Sequence, residues 1–128
     1  MQGNAHRDFL IQFSKALLKF HKTLIDTEKI KYEKVNGRVN SSGEFLRLLM
    51  EHPDFQWLRS ISQLVAQIDQ HVDDTEHLAD KDVQFFKHAF EQIELRNDFL
   101  KKLNGLAGIN SDVLVASFQL QTMLKKVH

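Results

Sequence analysis

The stretch EHPDFQWLRSISQLVAQID, Glu51 to Asp69, carries the only proline and the only tryptophan of a 128-residue chain. Proline disfavours helical geometry at the residue before it, so His52 closes whatever helix precedes it. Proline also suits the first turn of a new helix, where its missing N–H costs no hydrogen bond, and Asp54 beside it complements the positive helix end. Winding the residues that follow at about 100° each places Trp57, Leu58, Ile61, Leu64, Val65, Ile68 and Val72 within one arc of roughly 120°. The stretch therefore reads as a helix boundary followed by an amphipathic helix. Trp57 is expected in the core at one end of the molecule rather than in a ligand-stacking role. Arg59 points nearly opposite the arc, Ser62 and Asp69 sit at its edge, and Phe55 lies to one side, against the preceding short helix.

The same apolar spacing of three and four residues recurs on both sides of this segment. Asn36-Gly37 is a helix stop, and Ser41 followed by Glu44 has capping-box spacing. DDTEHLADKD (Asp73–Asp82) is an acidic loop in which Asp80 and Asp82 cap the next helix. NGLAGINSD (Asn104–Asp112) ends one helix at Gly105 and caps another near Asn110 or Ser111. Helices are thus expected over Asn4–Val35, Ser42–Glu51, Pro53–Asp73, Asp80–Asn104 and Ser111–Val127. The fold class is all-α: one domain over residues 1–128, an antiparallel up-down four-helix bundle with a short extra helix between the first and second long ones.

HPDFQWLRSISQLVAQID, with FHKTLID (Phe20–Asp26) upstream and Tyr32-Glu33, resembles a family of small, uncharacterised, all-helical bacterial proteins. The shared pattern is His52-Pro53-x-Phe55-x-Trp57-Leu58-Arg59, then Ser62 and Ile68-Asp69. The resemblance covers about Leu17 to Asp74 and fades through the last two helices. It implies the helical fold and a bacterial origin, and no chemistry.

Composition narrows the function classes. Lys+Arg and Asp+Glu number 17 each, so no global charge draws the chain to nucleic acid or anionic lipid. Locally, residues 1–40 hold eight Lys/Arg against four Asp/Glu, and residues 51–82 hold two against eight. The absence of cysteine excludes disulfides, thiolate metal ligands and thiol nucleophiles, and is compatible with the cytoplasm, the expected location. No apolar run approaches the ~20 residues of a membrane span, and charges interrupt the N-terminal segment too often for a secretory signal. The first helix, with Phe9, Phe13 and Phe20, has the amphipathic form of a membrane-surface helix, but such a stripe is expected to face the protein's own core. The 7 histidines lack di-iron, zinc-protease or EF-hand spacing; Asp74-x-x-His77 comes nearest and lies in the acidic loop. No metal and no cofactor is implied.

Polar residues interrupt the apolar arcs. On the first helix Ser14, His21 and Glu28 share the face of Phe9, Leu10, Phe13, Leu17, Phe20, Leu24 and Val35. Arg96 and Asn97 interrupt the arc of Phe86, Ala89, Phe90, Ile93, Leu100 and Leu103. Ser117 interrupts that of Val113, Ala116, Leu120, Met123, Leu124 and Val127. In an up-down bundle, a rise of 1.5 Å per residue brings His21, Arg96, Asn97 and Ser117 to similar heights, with Glu28 above. An interior polar layer is therefore expected. It either fixes helix register or lines a small-ligand site between helices. No nucleophile or oxyanion donor accompanies His21 and Glu28, so no catalytic residues are assigned.

Outside the arcs, Leu95 and Phe99 on the fourth helix and Leu114 and Phe118 on the fifth are expected to form one outward apolar patch. Either the short Phe45–Met50 segment covers it or it is an interface. The function expected is a non-enzymatic interaction or regulatory module with a protein partner or itself, the simplest case being a homodimer. The alternative is a small-ligand-binding bundle built around His21.

Overall fold

The structure, a computed structural model, describes residues 3–96 and 98–127, with side chains from residue 5 onward. Every regular element among the described residues is helical: α1 (Gly3–Asn36), α2 (Ser42–Glu51), α3 (Pro53–Gln56), α4 (Arg59–Asp74), α5 (Asp80–Glu94), α6 (Phe99–Ala107) and α7 (Asp112–Lys125).

The local signals set most boundaries. Gly37 takes the left-handed φ of 85° that ends α1, and its N–H donates to the Glu33 carbonyl. The Ser41 hydroxyl accepts from the Glu44 N–H at 3.1 Å, and the Glu44 carboxylate accepts from the Asn40 N–H. At the proline boundary His52 leaves helical geometry with ψ 132°, and its Nδ1 accepts from the Asp54 N–H at 3.1 Å. His52 thus ends α2 and caps α3, the second role unforeseen. Asp82 reaches back to the Ala79 N–H at 2.7 Å and bonds His71 Nε2 at 2.7 Å, clasping the start of α5 to the last turn of α4.

Two long helices expected from the sequence are interrupted. Pro53–Asp73 is one turn (α3) and then α4, with tighter i→i+3 bonds from Leu58 to Phe55 and from Ile61 to Leu58 between them. This tightening buries Phe55 against Phe45 of α2, with ring centroids 5.9 Å apart. Asp80–Asn104 divides into α5 and α6, again through i→i+3 bonds, from Arg96 to Ile93 and from Phe99 to Arg96. The break re-phases the apolar arc. Phe99, Leu103 and Leu106 turn inward, and Leu100, expected in the core, is exposed. Val35, also expected in the core, lies past the packed part of α1 and is exposed.

The core is built on α1, whose Leu10, Phe13, Leu17, Phe20 and Leu24 are fully buried. They meet Ile61, Leu64 and Ile68 of α4, Phe86 and Phe90 of α5, and Val113, Leu120 and Leu124 of α7 in one cluster. Each fully buried side chain of this kind contributes about 1.5–3 kcal/mol. Polar contacts give the directions. Arg7 of α1 donates to the Val72 and Thr75 carbonyls, Ser14 bonds Asp69, and Glu28 bonds Trp57, so α1 and α4 run oppositely. Lys87 reaches the Val127 carbonyl and Glu94 bonds Gln121, so α5 and α7 are antiparallel too.

The Asp82 clasp has a pH signature. Its bond from the Ala79 N–H, with help from His71, holds the carboxyl below the ordinary aspartate value of 3.8. A lowered folded pKa means stability that is present above 3.8 and is lost as pH falls through the folded value. Asp82→Ala is expected to cost about 1–2 kcal/mol at pH 7 in urea titrations, with the gap to wild type closing as pH drops below that point.

Candidate functional site

The expected interior layer does not assemble among the described residues. His21 is half-buried on α1, turned toward α2 and α4 rather than α5 and α7, and has no hydrogen-bond partner among the described residues. Arg96 is exposed in the turn between α5 and α6. Asn97 lies outside the described residues. Ser117 is half-buried on α7 and has no hydrogen bond to His21, Glu28 or Arg96. Glu28 is buried as expected, but its partner is Trp57, whose Nε1–H donates to Glu28 Oε2 at 3.2 Å. The break between α5 and α6 is the physical reason: without a continuous fourth helix, the height and face assumed for Arg96 no longer apply.

Separate pairs, each bridging two elements, take the layer's place. Ser14 of α1 donates to Asp69 of α4. Asn110, before α7, donates to Thr27 Oγ1 at 3.1 Å, and the Thr27 hydroxyl donates onward to the Thr23 carbonyl. Gln121 of α7 donates to Glu94 of α5 at 2.6 Å. Thr27 and Glu94 were not singled out from the sequence, although Thr27 lies at the edge of the α1 arc beside Phe20. Each pair satisfies groups whose burial alone would cost on the order of 1–3 kcal/mol.

Trp57 is half-buried rather than a full core residue. Its indole stands edge-on to Phe99, centroids 5.4 Å apart, and Lys102 Nζ lies 6.0 Å from its ring. Trp57 and Phe99 thus brace α6 against the start of α4, while Glu28 ties the indole to α1. Burial raises the Glu28 pKa; the Trp57 bond and the charge of Lys31, 4.0 Å away, oppose that.

His21 lines a hollow of about 230 Å³ with Ile25 of α1, Leu49 and Met50 of α2, Phe55 of α3, and Leu58, Arg59 and Ser62 at the start of α4. Burial lowers its pKa, which favours the neutral imidazole at pH 7. Arg59 is anchored at the hollow by a 2.6 Å bond from Nη2 to the Met50 carbonyl.

The expected outward patch is only partly formed. Leu95, Leu114 and Phe118 are exposed at 72%, 54% and 71%, and Val115 joins them at 55%. Phe99 does not belong to the patch; it is 4% exposed, turned inward onto Trp57 by the α5–α6 break. The short helix α2 packs instead on α3, with Lys29 of α1 held 5.0 Å over the Phe45 ring. A groove of about 620 Å³ runs between α1 and α7, with Ala16, Phe118 and Met123 as its apolar surface and Lys15 and Lys19 at its rim. No helix among the described residues is long and apolar enough to cross a membrane. No three acidic or histidine side chains gather among them as a metal site requires.

Glu28→Gln keeps an oxygen to accept from Trp57 and removes the buried charge. With the folded pKa raised above 4.5, wild type loses stability as pH rises from that value through the folded one. The variant is expected to match wild type below that window and to exceed it by about 1 kcal/mol at pH 7, as measured by chemical denaturation across pH. Searches of family models, curated proteins and solved structures find no match to this chain.

Proposed function

We propose that the chain is an up-down antiparallel four-helix bundle, with α3–α4 and α5–α6 as its interrupted second and third helices, acting as a non-enzymatic cytoplasmic interaction module that pairs with a second copy of itself. The observation that carries the reading is that α7 is apolar on two sides. One side, Val113, Ala116, Leu120 and Leu124, is buried; the other exposes Leu114, Val115 and Phe118. Persistent exposed apolar patches tend to be interfaces.

The position of Phe118 favours a second copy as the cover. Phe118 and Gln119 stand at the midpoint of α7, with Leu114 one turn before Phe118 on the same face. Two α7 helices packed antiparallel about a two-fold axis at that midpoint stack the Phe118 rings centrally, with a Leu114 toward each end of the contact. Such self-complementarity is what an isologous contact requires. The bridging pairs within the packing also support a structural use of its polar groups, since each is consumed by a neighbouring element.

Sedimentation of the wild type at tens of micromolar is expected to give a dimer, and Leu114→Glu with Phe118→Glu a folded monomer, the dissociation constant rising at least 100-fold. A monomeric wild type, or a dimer indifferent to these substitutions, removes the proposal.

A further inference from the structure

The hollow at His21 takes no part in the α7 contact, and its lining is chemically one-sided. Ile25, Leu49, Phe55 and Leu58 supply apolar walls. The Ser62 hydroxyl donates to the Arg59 carbonyl at 2.9 Å, so its proton is already spent. The remaining donors are the Arg59 guanidinium and the His21 imidazole. Arg59 uses Nη2 on the Met50 carbonyl, which pins the group and leaves further N–H donors of the planar fork free. No carboxylate lines the hollow, and Arg59 forms no ion pair among the described residues. Among the described residues, an anchored guanidinium without an acidic partner and an imidazole without a hydrogen bond line the same hollow, a donor set that receives a carboxylate.

We propose that this hollow binds a small organic monocarboxylate with an aromatic or branched apolar body, its carboxylate on Arg59 and His21 and its body against Ile25, Leu49 and Leu58. Size sets the limit. A space of about 230 Å³ equals the share of roughly eight liquid waters, which a body plus carboxylate of about ten non-hydrogen atoms fills. One guanidinium and a neutral imidazole match a single negative charge better than a phosphate dianion.

The test titrates the whole chain with phenylacetate, phenylacetamide and 2-phenylethylammonium, following histidine ring and methyl resonances by NMR. Phenylacetate is expected to shift the His21 ring and the methyls of Ile25, Leu49 and Leu58 saturably, with a submillimolar dissociation constant. The amide is expected to bind at least tenfold more weakly, and the ammonium not at all. Arg59→Gln, an exposed position, should weaken phenylacetate at least tenfold while leaving the amide's affinity unchanged, with thermal melting confirming the fold. Ser62→Leu, which fills the hollow, should abolish both, with thermal melting confirming the fold. Absence of saturable shifts at 10 mM phenylacetate, equal affinity for acid and amide, or an Arg59→Gln protein that binds phenylacetate as wild type does would each overturn the proposal. Neither the dimer nor its failure bears on the result, because α7 contributes nothing to this site.

Discussion

The rest of the structure depends on the buried stripe of α1. Leu10, Phe13, Leu17, Phe20 and Leu24 are inaccessible to water, and α4, α5, α6 and α7 all take part of their core from contact with this helix. A helix of 34 residues is about 50 Å long, roughly twice the length of α4. One partner therefore cannot cover it. The excess is met by the start of the 53–74 segment and by α6, gathered where Glu28 and Trp57 meet. At the opposite end, Arg7 donates to the last carbonyls of α4, satisfying acceptors that a helix end leaves open and complementing its negative pole.

Polar groups inside the packing act one pair at a time. Ser14–Asp69, Glu28–Trp57, Thr27–Asn110 and Glu94–Gln121 each join two elements at a different height along the molecule. Sliding one helix by a turn would separate several pairs at once and leave their members buried and unbonded. The apolar core, which is largely indifferent to such slips, does not supply that discrimination by itself. Glu28 is the costly member, since its burial opposes ionisation.

Two surfaces remain incompletely used after these demands are met, and they face different neighbours. The outer side of α7 exposes Leu114, Val115 and Phe118, with Phe118 at the helix midpoint, an arrangement that suits a large, self-matching contact. The hollow at His21 is small and concave, with donors but no carboxylate, an arrangement that suits a small anion. The first reading rests on apolar exposure and the second on unmatched hydrogen-bond donors.

Local rules in the sequence were enough for the helical class and the boundaries at Asn36-Gly37, Ser41-Ser42 and His52-Pro53, because glycine, a capping serine and proline act on their own backbone and the next few residues. Periodicity was enough to place Leu10 to Leu24, Ile61 to Val72 and Phe86 to Ile93 in the core, because one helix face must leave water wherever the helix goes. Tertiary packing alone decided the rest. Whether the backbone tightens at Trp57-Leu58 and breaks between Glu94 and Phe99 depends on how much apolar area each rotation buries against other helices. That single rotation put Phe99 inside and Leu100 outside and left Arg96 exposed, away from His21 and Ser117. Partner choice among buried polar groups is likewise non-local: Glu28 meets Trp57, and His21 faces a hollow, because of where α3 and α6 come to rest rather than anything in their own neighbourhood of the chain.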